Sequence, residues 1–549
     1  MPSRRDFVQA GMAGAASLVL PGVRGAVAAA ARPSRLADSH IEILLDEPVG
    51  TIAPEVYGHF TEHLGGVIYD GVWVGEDSPV PNIGGVRKAL VEAMRRIQPA
   101  VIRWPGGCFA DSYDWRDGVG PRDKRPVRTS FWADDPGLKG VTSGPAIYET
   151  NAFGTTEFVR FCRLVGAQPY LAANVRTLPA EAFDQWLDYC NAPAGSTTWS
   201  DVRAAAGDRD PYRVRFWGVG NEAWGCGGNF TPEEYAEEYR RFTTWSVPAL
   251  GIDLALIASG PNGGDMEWTR RLLAAFADRG GLDRVWGLSV HHYSSAPDAG
   301  ADAVAFDERG WFDLLVSADR MEGVITSIWD TMRLADPRHQ IRLAVDEWGA
   351  WHRNAPIVDP SHLFESQMTI RDALVTGLTL DIFHRHADKV GMANVAQLIN
   401  CIHSLFLAHG DQFVTTPAYH VFAMYAPHQG AQSLRTMISA PRESWAGRNG
   451  ARGDFWGLNG SASRRGGNVV LTVTNASLTA SRDAEIVVRG ATISGMRATV
   501  LTAPSVDAVN TFEQPDTIVP KGIDIPAAAW KGVHTFPPAS VTRMDISLA

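Results

Sequence analysis

Short apolar runs alternate with longer amphipathic stretches from about residue 51 to about residue 430, and the two periods predict two kinds of element. The short runs are rich in Val, Ile, Leu and aromatic residues and too brief for helices, so they read as buried strands. Eight can be counted: Glu55 to Phe60, Val101 to Arg103, Tyr170 to Asn174, Phe216 to Gly220, Leu254 to Ser259, Gly287 to His291, Leu343 to Asp346, and Val395 to Ile399. Stretches of helical period lie between them, among them Gly85 to Ile97, Thr155 to Val165 and Thr231 to Val247. The last opens on Thr231-Pro232-Glu233-Glu234: an N-cap hydroxyl, a proline in the first turn, and acids at the positive end of the helix dipole. Eight strand-helix units over this length predict an α/β fold, a closed (β/α)8 barrel.

Beyond about residue 430 the helical period fades. Alternating runs such as Asn468 to Thr474 and Val541 to Ile546, punctuated by Gly, Pro, Asn and Asp, predict a C-terminal β-sandwich of jelly-roll-like character. His40 to Leu45 reads as one more strand ahead of the barrel, placed to join those sheets. The expected domains are therefore a catalytic barrel over 51–430 and a sandwich built from 36–50 with 431–549. Residues 1–31 have another character: Arg4-Arg5, a weakly apolar stretch from Gly11 to Leu20, then a run of small residues from Ala26. This layout predicts a twin-arginine export signal and a bacterial protein that is periplasmic or extracellular. The apolar stretch is too short to span a bilayer, which needs about 20 apolar residues, so no membrane association is expected of the mature form.

With 549 residues, 45% of them hydrophobic, the chain can bury a large core and form more than one domain. A formal net charge of -11 argues against a nucleic-acid partner, which calls for clustered Lys and Arg, and suits a neutral substrate. Five cysteines are too few and too scattered for a disulfide framework or a paired metal motif. Cys108 and Cys226 stand apart, because each follows a candidate strand in a glycine-rich turn on what should be one barrel face. A disulfide between them and separate buried thiols are both open readings.

Reactive groups of (β/α)8 enzymes project from the C-terminal strand ends, so the residues after each strand carry the functional signal. They include Glu62 after the first, Arg103-Trp104-Pro105-Gly106-Gly107-Cys108 after the second, Asn221-Glu222-Ala223-Trp224 after the fourth, His291-His292-Tyr293 after the sixth, Glu347-Trp348 after the seventh, and Gln397 after the eighth. Glycosidic hydrolysis needs one carboxylic acid to protonate the leaving oxygen and a carboxylate opposite to attack carbon or activate water. Glu222 and Glu347 suit those roles. Asn221 offers an amide for a sugar hydroxyl, and Trp104, Trp224 and Trp348 offer ring faces to a sugar.

These motifs resemble glycoside hydrolase family 51, chiefly its α-L-arabinofuranosidases. The resemblance rests on Gly58-His59-Phe60-Thr61-Glu62-His63-Leu64-Gly65, Arg103-Trp104-Pro105-Gly106-Gly107, Trp115 to Pro121, Gly220-Asn221-Glu222, Asp346-Glu347-Trp348 and Ala393 to Asn400, an ordered set covering most of the chain. It implies a retaining double displacement, with Glu222 as general acid/base and Glu347 as nucleophile. It also implies that Glu62, Cys108, Asn221, Tyr293 and Gln397 occupy positions that hold the furanose, with Tyr293 also orienting the nucleophile. Cys108 departs from the family pattern, which often has asparagine there; a thiol cannot supply both amide donor and amide acceptor. The family uses no metal or organic cofactor, acts on arabinose-containing oligosaccharides or polysaccharides, and often assembles as trimers or hexamers.

Two further readings compete. A retaining β-glycosidase of the same barrel superfamily, such as an endoglucanase or xylosidase, would use the same two acids. A non-catalytic carbohydrate-binding protein would need aromatic platforms but not both acids. The segment His59-Phe60-Thr61-Glu62-His63 spells the H-x-x-E-H pattern of zinc peptidases, but that motif requires a helix, and here it follows a strand and runs into Gly65-Gly66. His291 and His292 face opposite sides of a strand and are expected to support the site rather than bind metal.

Overall fold

The computed structural model describes residues 37–244, 251–279, 281–353, 358–448, 451–525 and 530–549. Eight parallel strands close into a barrel: Gly58–Phe60, Val101–Trp104, Gln168–Ala173, Phe216–Val219, Ala255–Ala258, Gly287–Ser294, Arg342–Ala350 and Val390–Val395. The eighth closes the ring on the first through Asn394↔Gly58 and Val395↔His59. Pleating sends alternate residues to opposite sides. Val101, Tyr170, Phe216, Ala255, Ile257, Ala344 and Met392 pack together inside the barrel. Their neighbours Ile102, Leu171, Trp217, Leu256, Leu343 and Val345 face the layer of helices.

Four strands differ from expectation, the sixth and seventh by running on to Ser294 and Ala350, past the expected ends at His291 and Asp346. The first begins only at Gly58, because Pro54–Tyr57 turns as a 3-10 helix with proline in its first turn. The eighth runs over Val390–Val395 rather than Val395 to Ile399. The apolar run from Val395 is real, but Leu398 and Ile399 are buried in the loop that follows, and hydrophobicity by itself does not separate a buried loop from a strand. Among the helices, Thr155–Val165 matches expectation, Lys88–Ile97 starts after a short strand at Val86–Arg87, and Pro232–Thr243 is capped as its sequence implies. Glu234 N donates to Thr231 Oγ1 at 3.3 Å and Thr231 N to Glu234 Oε2 at 2.8 Å.

The remaining large sheet has nine strands, in the order Lys521–Ile525, Ile493–Leu501, Ser540–Leu548, Asn468–Asn475, Leu458–Arg465, Gln432–Ser439, Ser39–Thr51, Arg482–Arg489 and Val533–Phe536. Ser39–Thr51 lies antiparallel to Gln432–Ser439 and parallel to Arg482–Arg489, so the lone strand ahead of the barrel completes the C-terminal sheet. The strands fold over one shared core that includes Ile41, Ile43, Leu471, Val473, Ile486 and Met544, which makes the sheet a sandwich. Helix Ile370–Arg385 is buried on almost every face, because it lies between the barrel and this sheet. Among the described residues no helix is long and apolar enough to cross a membrane.

Candidate active site

The seventh barrel strand is out of step with both neighbours at one place. Against the sixth strand its partners run Ser289↔Ala344 and then His291↔Glu347; against the eighth, Val345↔Ala393 and then Trp348↔Val395. One extra residue is inserted around 345–347, a β-bulge. Ala344 faces the barrel interior while Val345 and Trp348 face the helices, so the bulge turns two consecutive acids, Asp346 and Glu347, toward the inside.

Arg103 meets them there. The second strand sends Ile102 and Trp104 outward and Val101 and Arg103 inward, where an arginine must find carboxylates to be tolerated. Arg103 Nη1 donates to Glu347 Oε1 at 2.6 Å, its Nη2 donates to Asn221 Oδ1 at 2.6 Å, and its Nε is 3.7 Å from Asp346 Oδ2. Burial by itself would lower the Arg103 pKa, but the Asp346 and Glu347 charges raise it above its ordinary value, so the guanidinium is a permanent cation. Tyr170 Oη donates to Asp346 Oδ2 at 2.8 Å.

The sixth strand contributes His291 and Tyr293 from one face. Tyr293 Oη donates to Glu347 Oε2 at 2.8 Å. His291 Nδ1 is 2.9 Å from Glu222 Oε1 and 3.4 Å from Glu347 Oε2, and its Nε2 is 3.0 Å from Asp346 Oδ1. Burial pushes the imidazole pKa down, but the Glu347 and Asp346 carboxylates outweigh it and hold His291 protonated well above its usual range. His292 points the other way, its Nε2 donating to Ser317 O at 2.8 Å.

Glu222 stands in the turn after the fourth strand with φ 38°, a left-handed conformation unusual for a residue with a side chain. Neighbouring contacts enforce it. Asn221 N donates to Asp111 Oδ2 at 3.0 Å, Ala223 N to Ser259 Oγ at 3.0 Å, and Gly225 N to Glu222 O at 2.7 Å. Asp111 also accepts Val175 N at 2.9 Å, and burial pushes its carboxyl up to about 7 despite these donors. Cys108 and Cys226 are joined in a disulfide with Cα atoms 5.5 Å apart, while Cys162, Cys190 and Cys401 are buried free thiols. The bridge flanks Glu222, with sulfurs 3.9 Å and 3.5 Å from its Oε2. As half of a disulfide Cys108 has no S–H to donate, so of the sugar contact expected of it only weak acceptance remains.

Glu62 and Gln397 complete the cluster. Glu62 Oε1 accepts Gly107 N at 3.2 Å and Phe109 N at 3.0 Å, and its Oε2 accepts Gln397 Nε2 at 3.0 Å. Burial, aided by the Glu347 charge, raises the Glu62 carboxyl to about 7. Gln397 Oε1 is buried without a partner among the described residues and is available to a ligand hydroxyl.

All seven residues singled out in the sequence, Glu62, Cys108, Asn221, Glu222, Tyr293, Glu347 and Gln397, thus surround one point. Two tryptophans do not. Trp104 and Trp348 project outward from their strands and are fully buried, Trp104 stacked on Phe158 and Trp348 against Phe383 and Phe422. Trp224 is half-buried, and a different row of half-buried rings, Trp351, Phe364 and Trp132, extends edge to face from Tyr293. The H-x-x-E-H segment does not assemble as a metal site: His59 packs on Phe422, while His63 bonds Glu149 at 2.7 Å and accepts Trp104 Nε1 at 3.0 Å. The sequence motifs contain Arg103 and Asp346 without giving them a role, and nothing in the sequence marked Tyr170 or Asp111. An arginine inside an apolar strand and an acid next to the candidate nucleophile were the available signals.

Residues 93–309 match the family model of the α-L-arabinofuranosidase 1 domain, and residues 346–540 that of the α-L-arabinofuranosidase C-terminal domain. A relative from Bacteroides ovatus, named an intracellular exo-α-L-arabinofuranosidase, is 34% identical over 485 residues, 87% of this chain and 90% of its own. Another from Streptomyces lividans, named an intracellular exo-α-(1→5)-L-arabinofuranosidase, is 29% identical over 87% of this chain and 70% of its own. The crystal structure of the GH51 arabinofuranosidase from Xanthomonas axonopodis pv. citri superposes with a TM-score of 0.85 at 35% identity, covering 93% of this chain and 100% of that one. The word intracellular in both relatives' names overturns the expectation of twin-arginine export to the periplasm or medium. That expectation rested on Arg4-Arg5 before a small-residue run, a compositional signal, and residues 1–36 lie outside the described residues.

Proposed function

The chain belongs to the glycoside hydrolase family 51 α-L-arabinofuranosidases, and from that premise we propose that it releases arabinofuranosyl residues by a retaining double displacement, with Glu347 as nucleophile and Glu222 as acid/base. The observation that carries this reading is the closeness of the two acids: an oxygen of Glu222 and one of Glu347 lie within 4.8 Å of each other, with His291 between them. Carboxyl groups about 5–5.5 Å apart leave room for direct attack, whereas inversion needs about 6.5–9.5 Å to admit a water.

In the first step a Glu347 oxygen bonds to the anomeric carbon as the glycosidic C–O bond breaks, and the Glu222 proton passes to the leaving oxygen. In the second step Glu222 takes a proton from water, the water oxygen bonds to the same carbon, and Glu347 leaves as carboxylate. Arg103 and Tyr293 hold the two Glu347 oxygens and so aim the attack. Because His291 Nδ1 occupies Glu222 Oε1, the transferred proton rides on Oε2, the oxygen beside the disulfide. Glu62, Asn221 and Gln397 receive the furanose hydroxyls, and residues 51–430 form the catalytic unit with 36–50 and 431–549 as its sandwich. The family resemblance supports assembly as a trimer or hexamer, which light scattering on the purified protein tests.

Nitrophenyl α-L-arabinofuranoside and a natural arabino-oligosaccharide test the assignment. Glu347→Ala is expected to abolish turnover on both. Glu222→Ala is expected to lose about 10²–10⁴-fold on the oligosaccharide, the usual worth of general acid catalysis, and far less on the nitrophenyl glycoside, whose leaving group needs little protonation. Equal losses on the two substrates overturn the roles. Proton NMR of the first-formed sugar checks stereochemistry, and an inverted product overturns retention.

A further inference from the structure

We propose that Asp70, His362 and His409 form a zinc site at the mouth of the barrel, distinct from the H-x-x-E-H segment and from the hydrolytic cluster. Three loops converge to build it: Asp70 from the loop after the first strand, His362 from the loop after the seventh, and His409 from the hairpin strand Phe406–His409 after the eighth.

Both imidazoles aim at one oxygen. His409 Nδ1 is 3.1 Å and His362 Nε2 is 3.4 Å from Asp70 Oδ2, and the three candidate ligand atoms all lie within 4.8 Å of one another. A tetrahedral zinc with bonds of about 2.0–2.1 Å sets its ligand atoms about 3.3–3.4 Å apart, so the Asp70 contacts already have the size of tetrahedron edges. Two imidazoles and a carboxylate are a donor set that zinc accepts, and the fourth position would fall to water.

The surroundings serve those ligands. His362 is buried, and its other nitrogen, Nδ1, faces Glu365 Oε1 at 3.1 Å, an outer carboxylate that would keep the Nδ1 proton and the ring orientation while Nε2 gives up its own proton to a metal. Asp70 Oδ1 is engaged elsewhere, accepting Gly410 N at 3.0 Å with Arg87 Nη2 at 3.4 Å, which leaves Oδ2 for the metal. The Arg87 charge opposes a cation, but the carboxylates of Asp70 and Glu365 outnumber it. Asp70 and His409 are partly exposed, at 29% and 40%, which provides the entry path. Bound zinc would tie together the loops that carry Glu62 and Gln397.

The full-length protein, stripped with chelator and desalted, is titrated with zinc by calorimetry and with cobalt as a visible-absorbing substitute, and its melting temperature is recorded with each. The expected result is one tightly bound equivalent, the strong visible bands of tetrahedral cobalt, and a rise of several degrees in melting temperature. His362→Gln and His409→Ala should each weaken binding at least about tenfold and remove the melting shift. His409 is exposed enough for its replacement to leave the core intact, so the test survives if His362→Gln fails to fold. Glu222→Gln, which disables the other carboxylate-histidine cluster, should bind zinc as the parent does. No binding, binding that persists in His409→Ala, or binding lost instead in Glu222→Gln each overturns the proposal.

Discussion

Glu347 is held at both oxygens, by the Arg103 guanidinium and by the Tyr293 hydroxyl, and the two donors differ in what they contribute. Arg103 balances charge in a buried site, whereas Tyr293 supplies a neutral donor whose own pKa is pushed up by burial and by the Glu347 charge. Tyr293→Phe therefore removes one hydrogen bond to a charged group without unbalancing the site. Such a bond is worth about 1.5–3 kcal/mol. The expected loss in kcat/KM on the nitrophenyl glycoside is about 10–150-fold, and an unchanged value would show that the bond to Glu347 does not serve the reaction. At this scale the sequence announced acids, amides and the tyrosine by type and place. It held Arg103 and Asp346 within its motifs but gave them no role, because their importance lies in which way their side chains point.

Direction is a property of elements. The bulge in Arg342–Ala350 puts Asp346 and Glu347 on the same side, where strict alternation would have separated them. Alternation in Val101–Trp104 works the other way, turning Arg103 in and Trp104 out. The Gly106-Gly107 pair then lets backbone pass close to both carboxyl groups: a Cβ on Gly106 would sit 2.6 Å from Glu62 Cγ, and one on Gly107 would sit 2.7 Å from Glu347 Oε1. Gly107→Ala must displace the Glu347 carboxylate from its Arg103 contact. Misplacing a reacting group by about 1 Å can cost about 10²-fold, so activity should fall by that order while circular dichroism shows an intact fold. Full activity in Gly107→Ala would mean that Glu347 has room to spare.

At the scale of the molecule, barrel and sandwich share a buried polar seam. Asp381, on helix Ile370–Arg385, accepts Ser461 Oγ and Thr472 Oγ1 from the sheet, each at 2.6 Å, and Tyr425 Oη at 3.0 Å. Burial nevertheless raises its carboxyl from 3.8 to about 7. The folded protein thus keeps a proton that the unfolded chain releases. The stability this lends is full below pH about 3.8 and is lost as pH rises toward about 7. A tenfold change in proton affinity corresponds to about 1.4 kcal/mol, so the loss amounts to a few kcal/mol at most. Asp381→Asn cannot titrate, and its melting temperature should fall less than the parent's across that window. Parallel melting curves for the two proteins would remove Asp381 from this role. His384, which joins Tyr57 and Ser461 in the same seam, is kept neutral by burial.

The sequence by itself determined the barrel, the sheet domain with its detached first strand, and the chemical types at the strand ends, because period, turn residues and short motifs are local and survive in one dimension. The Thr231 cap and helix Thr155–Val165 were legible for the same reason. The eighth strand was misplaced because burial makes loops as apolar as strands, and the export expectation rested on composition and motif alone. Only the tertiary structure decided which side chains turn inward, that Trp104 and Trp348 belong to the core, that Cys108 is bonded to Cys226 beside Glu222, and that Asp70, His362 and His409 meet. Those outcomes depend on a bulge, on pleat register and on loops far apart in the chain, and none of them leaves a periodic trace among its neighbours in sequence.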